Sequence, residues 1–198
     1  MYFCVKEVLK ASLIAMKKFY IFAILALAGI SADAQTYLKV NAPSTLLGIP
    51  QIAVETTLHK NITLQGDILG SYWESINGAP FKTVMAFAEG RYHINGAYNG
   101  LYFGGHIGGA VFELQKWNYL NTNKYQKGYA IFMGVTVGYQ FKINEKLMID
   151  MFIGGGNQQA NYKGYYIGTD ERYEHVRHYN RSGEWIPYRG GIMFSYRL

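Results

Sequence analysis

The chain has 198 residues and a formal net charge of +6 at pH 7, and 49% of its residues are hydrophobic. The mean hydropathy is only -0.06, which disfavours a bundle of membrane helices because the apolar residues are not gathered into long runs. One domain is the natural expectation for this length. The 18 Tyr and 23 Gly with only 4 Pro favour β-structure, since aromatic residues suit a pleated surface and glycine relieves crowding where strands bend.

The first predicted element is a cleavable secretory signal peptide over residues 16–34. Lys17 and Lys18 form its basic n-region, residues 19–30 its apolar core, and Ala32–Ala34 an A-x-A cleavage site. The apolar core has about 12 residues, whereas a helix that spans a membrane needs roughly 20. We therefore expect cleavage before residue 35, with a retained membrane anchor as the alternative.

Residues 1–15 precede this signal and contain no second n-region pattern, so we expect translation to start at Met16 and residues 1–15 to be an over-annotated extension. The only cysteine, Cys4, lies there. The mature chain is then expected to have no disulfide, thiol nucleophile or lipid-accepting cysteine. Its remaining charge is mildly basic, and we expect no nucleic-acid partner.

Eight period-two segments separated by turn signals follow, and this pattern predicts antiparallel strands with no amphipathic helix. The predicted strands are Tyr37–Thr45, Pro50–Leu58, Ile62–Trp73, Lys82–Ile94, Leu101–Gln115, Lys127–Ile143, Leu147–Asn161 and Tyr188–Leu198. Short connections alternate with longer ones, of which residues 162–187 are the longest. Tight turns at one end and long polar loops at the other are typical of outer-membrane barrels, and place both termini on the periplasmic side.

The alternation within the strands indicates which face meets lipid. Between Tyr129 and Ile143, eight apolar residues occupy every second position, which is too tall a stripe for a small soluble sandwich. We therefore predict that residues 35–198 form a monomeric, all-β, eight-stranded antiparallel up-and-down transmembrane β-barrel. Short periplasmic turns and longer outward loops would connect its strands in the cell outer membrane. A soluble periplasmic barrel or sandwich stays open, because barrel signals are weak in each single strand.

Three segments, "AEGRYHINGAYNGLYFGGHIGG", "GYQFKINEKLMIDMFIGGG" and "IPYRGGIMFSYRL", resemble the family called domain of unknown function 3575. The most specific element is the acid-x-Arg-aromatic step at Glu89, Arg91 and Tyr92. Tyr188 and Arg189 depart from the family, which tends to have Thr-Lys at these positions. The resemblance covers about residues 46–198 and implies a small outer-membrane β-barrel of Gram-negative bacteria with no established activity.

The predicted inner face carries acids and bases in near balance. It contains Glu55, Asp67, Glu89, Arg91, His93, His106, Gln140, Asp150, Arg189 and Arg197. One hypothesis is an acid–base site in which a histidine with a carboxylate partner takes a proton. We favour a structural network of ion pairs, because an eight-stranded barrel is only wide enough for its interior to be filled by side chains. We therefore expect no catalysis, no cofactor and no transport through the barrel.

Two alternatives assign chemistry outside this inner face. The segment "EHVRH" places His175 and His178 three residues apart, which would suit part of a zinc site. It is not the zincin order, and it lies among charged loop residues, so we predict no metal site. A lipid-modifying hydrolase or acyltransferase is the main enzyme alternative, since Ser71, Ser75 and the loop histidines supply the residue types of a nucleophile and base but no diagnostic spacing.

The glycine runs "FGGHIGG" and "IGGGN" open no helix and are therefore predicted to let strands bend and approach closely. Aromatic residues with polar neighbours fill the longest predicted loop, and such side chains are favoured at recognition surfaces. The predicted recognition residues are Tyr165, Tyr166, Tyr173, His175, His178 and Trp185. We expect a small non-porin barrel with a structural or surface-recognition and adhesion-accessory role, whose partners are outer-membrane lipid and a surface or envelope protein.

Overall fold

The computed structural model describes residues 35–75, 78–169, 171–173 and 179–198, and the predicted extension and signal peptide lie outside them. In the described chain, eight strands dominate. In chain order, β1 to β8 are Thr36–Asn41, Gln51–His59, Ile62–Glu74, Pro80–His93, Gly100–Leu114, Lys124–Lys142, Leu147–Tyr166 and Asn180–Arg197. A short helix, α1, spans Ala42–Leu46, and one 3₁₀ turn spans Trp117–Tyr119. No helix in these ranges has the length and hydropathy needed to cross a membrane.

Each strand pairs in antiparallel fashion with the next, and β8 pairs with β1 to close the ring. The pairing is staggered, as closure of a barrel requires. Paired positions followed once around the ring from Leu38 arrive at Trp185, whereas Leu38 itself pairs with Tyr196. The prediction of an all-β, eight-stranded, up-and-down closed barrel is confirmed.

The two ends of the barrel differ in their connections. We call the end with the β2–β3, β4–β5 and β6–β7 connections the turn end, and the end with the β3–β4, β5–β6 and β7–β8 connections the loop end. Residues 60–61 and 143–146 are enough to reverse the chain at the turn end. At the loop end β5 and β6 are joined by residues 115–123, so the predicted asymmetry of connection length holds there.

Three predicted strand boundaries were wrong by four residues or more. β1 ends at Asn41 instead of Thr45, because Pro43 favours a helix start and the five-residue helix α1 follows directly. The predicted loop 162–187 is shorter, since β7 continues to Tyr166 and β8 begins at Asn180. Pairing between these two strands does not stop where the apolar alternation stops, because backbone hydrogen bonds do not depend on apolar side chains.

The apolar side chains lie mostly on the outside of the barrel. Val135 is 70% exposed and Ile107 60% exposed, although both lie near the middle of their strands. The inward positions of the same strands hold polar groups toward the turn end and an apolar cluster toward the loop end. This cluster consists of Phe87, Ala110, Phe112, Ala130, Phe132 and Ala160. A smaller buried group of Tyr37, Tyr98 and Met148 lies at the turn end. The interior is therefore filled by side chains, and its polar layer contains the predicted site.

Candidate functional site

The polar layer begins with three alternate residues of β4. Glu89, Arg91 and His93 all point inward because successive side chains of a strand lie on opposite faces. All three are at most 1% exposed. Two strands that do not adjoin β4 add Glu55 from β2 and Asp150 from β7 at the same depth. Strand alternation turns these five groups inward, and the register of the strands brings them into one layer.

The guanidinium group of Arg91 is the centre of this layer. Its Nη1 lies 3.1 Å from Glu55 Oε2 and 2.8 Å from Asp150 Oδ2, and its Nε lies 3.2 Å from Glu89 Oε1. The Tyr102 ring covers one face of the guanidinium at 4.5 Å, and its hydroxyl donates a hydrogen bond of 2.9 Å to Asp150 Oδ1. Arg91 therefore joins carboxylates from three strands, and one face of its guanidinium packs against an aromatic ring.

Lys39 belongs to the network and was missed by the sequence analysis. Its Nζ contacts Glu55 Oε2 and lies 2.6 Å from Asp150 Oδ2, and its side chain is fully buried. The alternation of side chains in β1 would have identified it, since Lys39 lies between the outward Leu38 and Val40. Lys39 and Arg91 together neutralise the two carboxylates at the centre of the barrel.

His93 lies at the edge of this centre. Its Nε2 is 3.0 Å from Thr63 Oγ1 and 3.5 Å from Glu55 Oε1, and Thr63 also donates to Glu55. The His93 ring packs 5.2 Å from the Tyr102 ring. The histidine and carboxylate of the acid–base hypothesis are thus neighbours, but both are buried beneath other side chains.

A second group of ion pairs extends the network toward the loop end. Arg189 Nη2 lies 2.8 Å from Asp67 Oδ2, and Arg189 Nη1 lies 3.0 Å from Glu89 Oε2. Gln51 donates a hydrogen bond of 2.8 Å to Asp67 Oδ1. The predicted Gln140 donates to Glu55 Oε2 at 3.0 Å. Glu89 therefore connects the two groups, because it accepts contacts from both arginines.

Two predicted members do not belong to the ion-pair network. His106 lies one layer nearer the loop end, where its ring nitrogens are 3.0 Å from Thr136 Oγ1 and 2.7 Å from the Tyr188 hydroxyl. Arg197 has the inward alternation of β8 but lies at the last position of the strand, where it is exposed. The alternation rule fails for Arg197 because a side chain at the rim of the barrel reaches solvent.

The network pairs each buried charge with an opposite one. In the described part of the chain, four buried carboxylates face three buried cations, and every one of these seven groups has an opposite charge within 3.5 Å. A buried charge is costly unless it is paired and hydrogen-bonded, and this arrangement provides both. A general acid or base must also reach a substrate, and these groups are covered by their own partners.

The predicted recognition residues occupy different settings. Tyr165 and Tyr166 belong to β7, and Trp185 is a 79% exposed residue of β8, so a sheet rather than a loop holds these three. The Tyr173 hydroxyl accepts a hydrogen bond from Gln126, and burial raises the pKa of Tyr173 to about 12. His175 and His178 lie outside the described residues. Among the described residues, no group of His, Cys, Asp or Glu is arranged to hold a metal ion.

Comparison with known proteins agrees with the sequence resemblance. No curated protein and no solved structure matches the chain. A family model described as protein of unknown function (DUF3575) matches residues 19–198, which include all eight strands and the whole charge network. The chain therefore belongs to the DUF3575 family.

Proposed function

We propose that this protein is an outer-membrane β-barrel, delivered by a cleaved signal peptide, with a structural or surface-recognition role and no transport activity. The observation that carries the proposal is the apolar outer face of a closed barrel. On β6, the outward residues from Tyr129 to Tyr139 are each at least 40% exposed, and every one of them is apolar or aromatic. A water-soluble barrel would instead turn polar residues outward.

The height of this face fits a membrane. Tyr129 and Tyr139 are ten residues apart on one strand. At about 3.3 Å per residue and a strand tilt of about 40°, they are separated by roughly 25 Å along the barrel axis. This is the height of the apolar band of outer-membrane barrels, whose edges carry aromatic girdles. The two tyrosines thus fit the two edges of a bilayer core.

The filled interior supports a role other than that of a porin. The paired charges and the buried apolar side chains occupy the inside of the barrel, and Arg91, Lys39 and Phe132 are at most 1% exposed. An eight-stranded barrel leaves no channel once side chains fill it. The role then belongs to the outer wall and to the loop end, where aromatic side chains are available to a surface or envelope protein.

Cell fractionation tests this proposal. A tagged copy of the chain is expected in the outer-membrane fraction, to be released only by detergent, and to migrate faster on gels when it is not boiled. The mature protein is expected to begin at Gln35 by N-terminal sequencing. Recovery of the wild-type protein in the soluble periplasm would overturn the membrane proposal.

A further inference from the structure

A row of charged residues crosses the outer wall of the barrel at the loop end. Lys82, Glu113, Lys127 and Lys163 occupy directly paired positions on β4, β5, β6 and β7, and we call these four residues the lysine row. Tyr72 continues the row on β3, where it pairs with Lys82. Because directly paired residues share a face of the sheet, all these side chains project from one side of the wall.

The lysine row carries an excess of positive charge. Its one carboxylate, Glu113, contacts Lys127 Nζ, and the two side chains are 32% and 56% exposed. The Lys82 ammonium lies 5.0 Å from the centre of the Tyr72 ring, and the Lys163 ammonium lies 4.6 Å from that of Tyr179. Like charges on directly paired residues repel, so the opposition of Lys127 and Lys163 is unfavourable, and Glu113 balances only one of these two charges.

On β4, β5 and β6, the neighbouring outward positions toward the turn end are apolar. Val84, Val111 and Tyr129 lie there and are 48%, 60% and 46% exposed. Together with the lysine row they line an open cleft of about 580 Å³, which Tyr165 and Tyr179 also border. The wall therefore changes from apolar to cationic within two residues along β4, β5 and β6, and a cleft lies across this boundary.

We propose that the lysine row binds the phosphate group of an anionic membrane lipid, whose acyl chains lie along the apolar outer wall on the turn-end side of the row. This proposal rests on the membrane location proposed above. Ammonium groups form strong charge-assisted hydrogen bonds with phosphate oxygens. A free phosphate ion would use the cationic part of the cleft alone, whereas a phospholipid also covers Val84, Val111 and Tyr129. The adjoining apolar wall therefore favours a lipid.

The test measures binding of phosphatidic acid to the protein in detergent micelles, by native mass spectrometry. Replacing Lys82, Lys127 and Lys163 together by glutamine is expected to weaken binding at least about ten-fold, since each lysine contributes about one factor of five or more near an anionic lipid. A matched triple change at the turn end, Lys60→Gln, Lys142→Gln and Lys146→Gln, removes the same charge and is expected to leave binding unchanged. Equal losses in the two triple variants would overturn the proposal.

Two further measurements sharpen the test. Glu113→Gln removes the internal carboxylate of the lysine row and is expected to tighten phosphatidic acid binding. Inorganic phosphate at the same concentration is expected not to compete with phosphatidic acid. Competition would show that the lysine row binds a phosphate ion and not a lipid, and would overturn the proposal. If the triple variant fails to fold, the single variant Lys163→Gln takes its place, and unchanged phosphatidic acid binding by this variant would contradict the proposal.

Failure of the membrane proposal gives a different result from failure of the lipid site, because the wild-type protein would then be recovered in the soluble fraction.

Discussion

Arg91 illustrates how single residues stabilise the interior of this barrel. Its guanidinium contacts Glu55 from β2, Glu89 from β4 and Asp150 from β7, and all four groups are buried. Removal of one partner from a buried ion pair costs about 3–5 kcal/mol, because the remaining charge stays buried without compensation. Arg91 has several such partners, so the stability of the barrel depends on it more than on an exposed arginine.

We predict that Arg91→Ala lowers the free energy of unfolding by about 3 kcal/mol or more, and that Glu89→Ala has an effect of the same size. The matched control is Arg197→Ala, which removes an exposed arginine at the turn end and is expected to change stability by less than about 0.5 kcal/mol. Urea unfolding of the three variants in detergent checks this. Equal midpoints for Arg91→Ala and Arg197→Ala would show that the network is not stabilising.

Tyr98 gives a second prediction, which concerns pH. It lies in the β4–β5 connection, is fully buried, and donates a hydrogen bond of 2.6 Å to the Gln35 carbonyl. Burial raises the pKa of Tyr98 above its usual value of about 10. A raised folded-state pKa means that the stabilisation is complete below about pH 10 and is lost as pH rises further, by up to about 1.4 kcal/mol per pH unit.

We therefore expect the wild-type protein to lose stability between pH 10 and pH 12, and Tyr98→Phe to lose less. The difference in unfolding free energy between the two proteins is expected to narrow over this range. Unfolding free energies at pH 8, 10 and 11 measure this difference. Tyr72→Phe, which changes an 83% exposed tyrosine, is the control and is expected to follow the wild type. A constant difference between wild type and Tyr98→Phe would contradict the prediction.

Several of these residue positions follow from the sequence, and others do not. Glu89, Arg91 and His93 were placed inward correctly because their strand is long and regular, with outward Ala86, Ala88 and Tyr92 between and around them. Arg197 was misplaced because alternation gives the face of a residue but not its distance from the rim. The link between Glu89 and Arg189 was not predicted, because it joins β4 to β8 across the interior and depends on side-chain reach.

At the scale of strands, small residues make room for the network. A Cβ atom on Gly104 of β5 would overlap the Glu89 carboxylate, and one on Gly138 of β6 would overlap the Tyr102 ring. Both glycines face large inward side chains from the neighbouring strand. The close approach predicted for the glycine run "FGGHIGG" thus has a specific cause at Gly104: the carboxylate that connects the two arginines occupies the space of its side chain.

We predict that Gly104→Ala destabilises the barrel by about 1–3 kcal/mol, because Glu89 is held by two arginines and cannot move aside without losing contacts. The adjacent Gly105→Ala is the matched control. A Cβ atom on Gly105 points outward and meets nothing within 4 Å, so this change is expected to leave stability equal or slightly higher. Thermal unfolding of the two variants measures their stabilities, and equal losses of stability would contradict the role assigned to Gly104.

The errors in the predicted elements also have a physical origin. The end of β1 was placed too late because the helix α1 has only five residues, too few to show a 3.6-residue period. β7 and β8 were cut short because the parts of these strands nearest the loop end carry charged outward residues, such as Lys163 and Arg181. The rule that apolar alternation marks a strand detects the apolar part of a wall, whereas backbone pairing continues beyond it.

At the scale of the whole molecule, the two faces of the wall invert the usual arrangement of a water-soluble protein. Charged groups such as Lys39, Glu55 and Asp150 are fully buried, while Met133, Val135 and Ile153 are more than 60% exposed. Folding in water would leave this apolar surface exposed. Large contiguous apolar patches mark contact with a membrane or a partner protein. A bilayer covers the entire ring at once, which a single partner protein would not.

The final prediction places one charge on this outer face. Val135 lies near the middle of the stretch between Tyr129 and Tyr139, so Val135→Arg is expected to weaken folding into lipid vesicles by about 2–4 kcal/mol, the cost of arginine near the middle of a bilayer. Val135→Leu keeps the face apolar, and Asn121→Arg adds the same charge in the exposed β5–β6 connection. Both controls are expected to fold like the wild type in a urea titration with vesicles. A water-soluble barrel would tolerate Val135→Arg as well as Asn121→Arg, because an added charge on a hydrated surface costs little, and that result would exclude membrane contact at Val135.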